Sequence, residues 1–145
     1  MNADADAADG ARDGPTTPFA RLGGRAAVSG LVDAFYDRIE ADPELRPVFP
    51  PDLGPGRERQ RLFLEQWLGG EPRYERAYGP PALRRRHLPF AITAAAAERW
   101  LAHFAAALDA CEVAPDLAAE ILAALRPVAQ RMVNTTEVER SQPQA

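Results

Sequence analysis

Apolar residues along this chain recur at helical spacing, and almost no stretch alternates in the way of a half-buried strand. In GRAAVSGLVDAFYDRIEADP, the residues Val28, Leu31, Val32, Phe35 and Ile39 fall on one helical face. Asp42-Pro43 closes that helix, because a proline drives the residue before it out of the α region. A second helix is predicted over 55–68, opened by Pro55, whose fixed φ suits a first turn, and stopped by Gly69-Gly70. Thr93 caps a third, 93–111, with Trp100, Leu101, Phe104 and Leu108 on one side. Pro115-Asp116 opens a fourth, 115–134, whose stripe is Leu117, Ile121, Leu125, Val128 and Met132. Pro127 lacks an N–H and should kink that helix, at about 3 kcal/mol unless packing compensates. The pattern predicts an all-α fold of two antiparallel helix pairs, 25–41 with 55–68 and 93–111 with 115–134.

Between the pairs runs EPRYERAYGPPALRRRHLPFAI, residues 71–92, too long for an idle connection in a compact domain. Pro80-Pro81 can start a helix there, and Pro89 ends it by biasing Leu88 away from α, so that His87 terminates a helix of about two turns. Such a helix is too short to stand alone in water and, carrying Arg84, Arg85 and Arg86, needs an external partner. Two readings of His87 follow from the residues alone. It can cap its own helix as a cation at a C-terminus, or serve as an imidazole held at a fixed angle for a metal. The arginine run is likewise either a solvated face or a clamp for carboxylates and phosphates.

On the helix 55–68, Leu53, Gly56, Gln60, Phe63 and Trp67 share a face, and Gln60 interrupts an otherwise apolar stripe. A buried amide must find partners, so Gln60 meets another core polar group or waits for a ligand. Tyr36, beside the Phe35 stripe, brings a phenolic hydroxyl to the interior, and Trp100 an indole N–H. His103, one turn beyond Trp100, is expected to be a surface or packing residue, with a metal ligand as the alternative role.

Composition narrows the setting. The chain has 145 residues and a net charge of −4, of which −3 falls in residues 1–13, leaving a nearly neutral body of about −1. That body offers no electrostatic reason to expect nucleic acid or an anionic membrane surface as a partner. The single cysteine, Cys111, excludes an intramolecular disulfide framework and is expected to be a buried, inert thiol. No apolar run is long enough to span a bilayer, and the acidic N-terminus lacks a signal pattern, so a cytoplasmic protein is expected. Residues 1–16, poor in large apolar side chains, are expected to form a disordered tail, 17–136 the folded domain, and 137–145 a flexible C-terminal tail.

The phrases FYDRIEADPELRPVFPPDL, RLFLEQWLGG, YERAYGPPALRRRHLPFAI, ERWL and MVNTTE, in this order and at this spacing, resemble the group II truncated haemoglobins. The resemblance runs from about Pro18 to Glu137, and RRHLPF at its fixed distance from Trp100 is specific in combination. It implies a truncated globin, a two-over-two helical sandwich around one haem b (iron protoporphyrin IX). It further implies His87 as the proximal iron ligand through Nε2, with Tyr36, Gln60 and Trp100 as distal polar residues. Phe49 matches a residue that packs on the haem edge, where some members carry tyrosine. Gly56 matches the position whose larger side chain guards the distal entrance in other globins. Phe63, Trp67, Phe90 and Trp100 would supply apolar wall, and Arg84 or Arg86, with Tyr74 or Arg57, would meet the haem propionates.

Two classes of function follow from that resemblance. One is reversible binding of O2, CO and NO at a five-coordinate iron. The other is a haem enzyme, an NO dioxygenase or peroxidase-like, which needs a separate reductase because the chain carries no flavin or nicotinamide domain. The sequence leaves monomer and homodimer equally open.

Overall fold

The computed structural model describes residues 17–87 and 90–135, with Arg84 and Arg86 described by backbone alone. The two expected tails, 1–16 and 137–145, lie outside the described residues. In chain order the helices are α1 (Pro18–Leu22), α2 (Arg25–Glu40), α3 (Gly54–Trp67), α4 (Arg73–Tyr78), α5 (Leu83–His87), α6 (Ala94–Ala110) and α7 (Pro115–Arg131), with a 3-10 turn at Arg46–Val48. There is no strand among the described residues. The described chain divides into two compact units, 17–33 with 54–81 and 34–53 with 82–135, so that α2 contributes to both.

The first unit is built around the end of α3. Gly69, at φ +111°, donates its N–H to the Gln66 carbonyl, and Gly70 donates to Glu65 O at 2.8 Å. That is a Schellman stop, which favours glycine at the left-handed position. The pair also permits a close approach: a Cβ on Gly69 would lie 2.9 Å from Thr17 Cβ, and one on Gly70 would lie 2.8 Å from the Glu65 carbonyl oxygen. Thr17 caps α1 by accepting from the Ala20 N–H at 3.1 Å, and the Phe19 N–H donates to Leu68 O at 2.9 Å. Helix α4, absent from the sequence reading, has Pro72 at its N-cap and so no local side-chain cap. Gln66 supplies one from α3, its Oε1 accepting from the Glu75 N–H at 2.9 Å. Buried Glu65 accepts from Arg73 at 2.7 Å and ties the same two helices.

In the second unit α6 and α7 form the predicted antiparallel pair, with Arg126 near the end of α7 donating to Glu98 near the start of α6 at 2.8 Å. Thr93 caps α6 as expected, accepting from the Ala96 N–H at 3.0 Å. Phe104, Leu108, Leu117, Ile121 and Leu125 are buried along the pair. Helix α7 continues through Pro127 to Arg131. The carbonyl that the proline leaves unpaired belongs to Ala123, and both residues lie on the exposed side, where water can serve it. For the other predicted pair, the side-chain links within the first unit run from Arg57 and Arg61 of α3 to Asp33 of α2, at 2.9 and 3.9 Å.

Cys111 corrects an expectation: it is exposed, not buried. The apolar stretch that suggested burial ends one residue earlier. Cys111 is the C-cap of α6, and Glu112, at φ 59°, turns the chain away in a Schellman-type exit with Val113 N–H donating to Leu108 O at 3.0 Å. The connection 71–92 also differs from its prediction, holding two short helices rather than one; α5 ends at His87 as expected but starts at Leu83, two residues after Pro81, and is shorter than two turns.

Candidate functional site

His87 ends α5, half-buried, with Nδ1 2.7 Å from the carbonyl oxygen of Leu83 one turn back. A carbonyl only accepts, so Nδ1 carries a proton and donates, and in the neutral ring the lone pair is then on Nε2. Nε2 has no protein partner among the described residues. The capping role that the residues alone allowed is thus met by an internal bond that leaves the other nitrogen available. His103 is used differently: its Nε2 lies 2.6 Å from Asp42 Oδ2, which makes it a packing residue in an ion cluster.

That cluster was not visible in the sequence. Asp42, just past α2, is buried and accepts from the Glu44 N–H at 2.9 Å, capping the turn that leads to Arg46–Val48. Its two oxygens also take a bidentate pair from Arg99 Nε and Nη2, each at 3.0 Å. The Arg99 guanidinium and then His103 hold the Asp42 carboxyl well below the usual carboxylate range, against the opposing effect of burial. The only hint was an arginine and a histidine four residues apart on α6, one helical turn that puts both on one face.

The Asp42 cluster predicts an acid sensitivity. A carboxyl whose folded value is lowered stabilises the fold fully above its unfolded value, about 4, and loses that contribution as pH falls toward the folded one. Asp42→Asn should lower the melting temperature at pH 7, with the gap to wild type narrowing below about pH 4. Thermal melts of both proteins from pH 7 to 3 check this by the change in that gap; a gap independent of pH refutes it.

Arg99 and His103 bracket Trp100. The Trp100 ring stacks on Phe104 with centroids 5.4 Å apart, and Phe35 meets Trp100 edge-on at 5.1 Å and Tyr36 at 5.5 Å. Tyr36 is buried and approaches Phe49 edge-on at 6.2 Å. Phe49 is placed by Arg46, whose guanidinium donates to the carbonyls of Pro50 and Pro51 at 2.9 and 2.7 Å. Tyr36, Phe49 and Trp100 are therefore brought together in one aromatic chain within the second unit. The Trp100 indole N–H, half-buried, has no hydrogen-bond partner among the described residues.

In the first unit Gln60 is half-buried on α3, and its amide too has no partner among the described residues. Gly56 lies in the first turn of the same helix. Phe63 meets Tyr74 edge-on at 5.8 Å, and Tyr74, buried, meets Tyr78 at 5.1 Å. Trp67 is half-buried, and Arg57 is engaged by Asp33 at 2.9 Å. The side chains of Arg84 and Arg86 lie outside the described residues, while Phe90 is half-buried with its carbonyl bonded to Asn134 at 2.9 Å.

The donor set can be tested against an iron porphyrin. No group of three or more His, Cys, Asp or Glu able to cage a metal occurs among the described residues. One neutral imidazole with a bare Nε2 suits a metal whose other ligands come from a macrocycle. The Trp100 indole N–H, without a protein partner among the described residues, is a donor that a polar ligand of such a cofactor could use. The residues present fit haem.

The described residues are all-helical or loop, and they offer one available imidazole, that of a small helical protein able to hold a metal macrocycle. The folded chain is similar to the group II truncated haemoglobin of Bacillus anthracis, with a TM-score of 0.81 and 41% identity, covering 85% of this chain and 95% of that one. It is similar to the truncated oxygen-avid haemoglobin of Bacillus subtilis, with a TM-score of 0.77 and 39% identity, covering 82% and 100%. Residues 17–134 match the family described as bacterial-like globin. Group 2 truncated hemoglobin YjbI of Bacillus subtilis (strain 168) is 41% identical over 116 residues, 80% of this chain and 88% of the relative. The chain belongs to the bacterial-like globins, in their group II truncated branch, and so to a family of haem-binding proteins. No helix among the described residues is long and apolar enough to cross a membrane.

Proposed function

We propose that the chain holds one haem b through His87 and reversibly binds O2, and also CO and NO, on the opposite face. The observation that carries this reading is the 2.7 Å bond from His87 Nδ1 to the Leu83 carbonyl. It fixes the tautomer of the neutral ring and its orientation on α5 and leaves Nε2 to accept a metal, which is what a proximal ligand requires. Haem, when bound, would supply an iron able to take a diatomic ligand.

The chain's own residues then determine what binds there. Trp100, Gln60 and Tyr36 are the proposed distal donors: an indole N–H, an amide N–H and a phenolic O–H. A ligand that takes up negative charge, as O2 does, gains about 1.5–3 kcal/mol from each such bond, and CO gains less. Phe49, Phe63, Trp67 and Phe90 are proposed as apolar wall that excludes water, with Gly56 leaving the distal entrance unobstructed. Arg57, Tyr74, Arg84 and Arg86 are the proposed partners of the propionates, for which guanidinium forks are suited. One solved relative is described as oxygen-avid; the donor groups that this chain's Trp100, Gln60 and Tyr36 carry support the reading of tight O2 binding here as well.

The test is an oxygenation cycle on the purified, haem-loaded, reduced protein followed by absorbance. The expected result is an oxygenated spectrum in air that returns to the ferrous one under argon. Immediate and complete conversion to the ferric form on first contact with O2, or failure to take up haemin, overturns the reading.

A further inference from the structure

We propose that Asn134 is a positioning residue for His87, fixing from the far end of α7 the backbone that carries the imidazole; this rests on the reading of His87 as the iron ligand. Three residues past the end of α7, Asn134 uses both side-chain N–H groups, its side-chain oxygen and its backbone N–H on the stretch that follows α5. Its Nδ2 donates to the Phe90 carbonyl at 2.9 Å and to the His87 carbonyl at 3.3 Å. Its Oδ1 accepts from the Ile92 N–H at 2.9 Å, and its own N–H donates to the Ile92 carbonyl at 2.9 Å. The turn is closed internally by the Phe90 N–H on the His87 carbonyl at 3.0 Å.

The need for such a clamp follows from α5 itself. Five residues cannot sustain a helix alone, and the internal bond of His87 to Leu83 fixes the ring only relative to that short helix. Something outside α5 has to fix the helix end. The side chain at position 134 must donate twice and accept once within one short reach, and asparagine does so with two N–H groups and one oxygen. Aspartate would keep the acceptor for Ile92 but set a carboxylate against two carbonyl oxygens. Leucine, of similar size, would keep neither function. Ile92 is itself buried and adjoins Thr93, the cap of α6, so the clamp also joins the His87 segment to the helix that carries Trp100.

The experiment is a double-mutant cycle on the haem-loaded chain. Asn134→Leu and Asn134→Asp are compared in wild type and in His87→Gly with free imidazole supplied as axial ligand. The readouts are the rate of haem transfer to an excess of apomyoglobin and the iron–histidine stretch in the ferrous Raman spectrum. Amide exchange at Ile92 is followed in the haem-free chain. In the wild-type background both variants should shift the stretch and speed haem loss about 10- to 100-fold. The Ile92 amide should lose protection while amides of α6 and α7 keep theirs. With untethered imidazole the same changes should alter haem loss by no more than about twofold. An unchanged stretch with haem loss within about twofold overturns the proposal, as does equal acceleration in both backgrounds, which would make Asn134 a general support of the fold. If both variants lose protection throughout α6 and α7, the proposal also fails. Full haem retention by His87→Gly without imidazole would instead remove the underlying reading of His87.

Discussion

Replacing His87 with glycine will leave the purified protein without haem, and millimolar imidazole will restore a Soret band. The expectation follows from how few alternatives the chain has. Cys111 is at the exposed end of α6, and the only other histidine is held by Asp42 at 2.6 Å. No cluster of metal-binding side chains elsewhere among the described residues could take over. Free imidazole can enter the space left by the side chain and offer the same nitrogen. The control is His103→Gly, which removes the other imidazole from an ion cluster and should leave the Soret band unchanged while lowering the melting temperature. Comparing haem content per polypeptide in the two variants checks the assignment. A His87→Gly protein that retains a normal Soret band with no imidazole present would refute it, and so would loss of the band from His103→Gly alone.

The second large effect is expected at Trp100. Phenylalanine there preserves an aromatic ring to stack on Phe104 and to meet Phe35, so the core loses little. What it removes is the indole N–H, which has no protein partner among the described residues. A hydrogen bond to a group carrying charge is worth about 1.5–3 kcal/mol, so O2 should dissociate about 10- to 150-fold faster from Trp100→Phe. CO, with less negative charge to stabilise, should change much less. Stopped-flow dissociation of both ligands separates this role from a steric one. A steric role moves both rates together, and O2 dissociation within about twofold of wild type eliminates the donor.

The fold was legible where a helix carries its own signals. The Val28 to Ile39 stripe, the Thr93 cap and the Gly69-Gly70 stop are local, and α2, α3 and α6 begin and end within one residue of the predicted bounds, while α7 ends three residues short of 134. Helix α4 was not legible because its cap is Gln66, seven residues before the helix begins. The burial expected of Cys111 failed because helical spacing does not reveal the residue at which the chain turns outward. At the site, His87 stood out as a prolyl-bracketed imidazole at the end of a weak helix, and family resemblance implied the ligand role proposed for it. Contacts between distant parts of the sequence stayed hidden. Asp42 acts through partners 57 and 61 residues away, and Asn134 through partners 42 to 47 residues away. A pattern confined to one helix does not encode contacts at that separation.

The central claim is that the Nε2 atom of His87 holds the iron. A crystal structure of the haem-loaded chain, with the iron located by its anomalous signal, measures this directly. The account predicts iron bonded to His87 Nε2 while Nδ1 keeps the Leu83 carbonyl. Iron bonded through any other protein atom, or haem seated with the His87 ring turned away from it, would contradict the account.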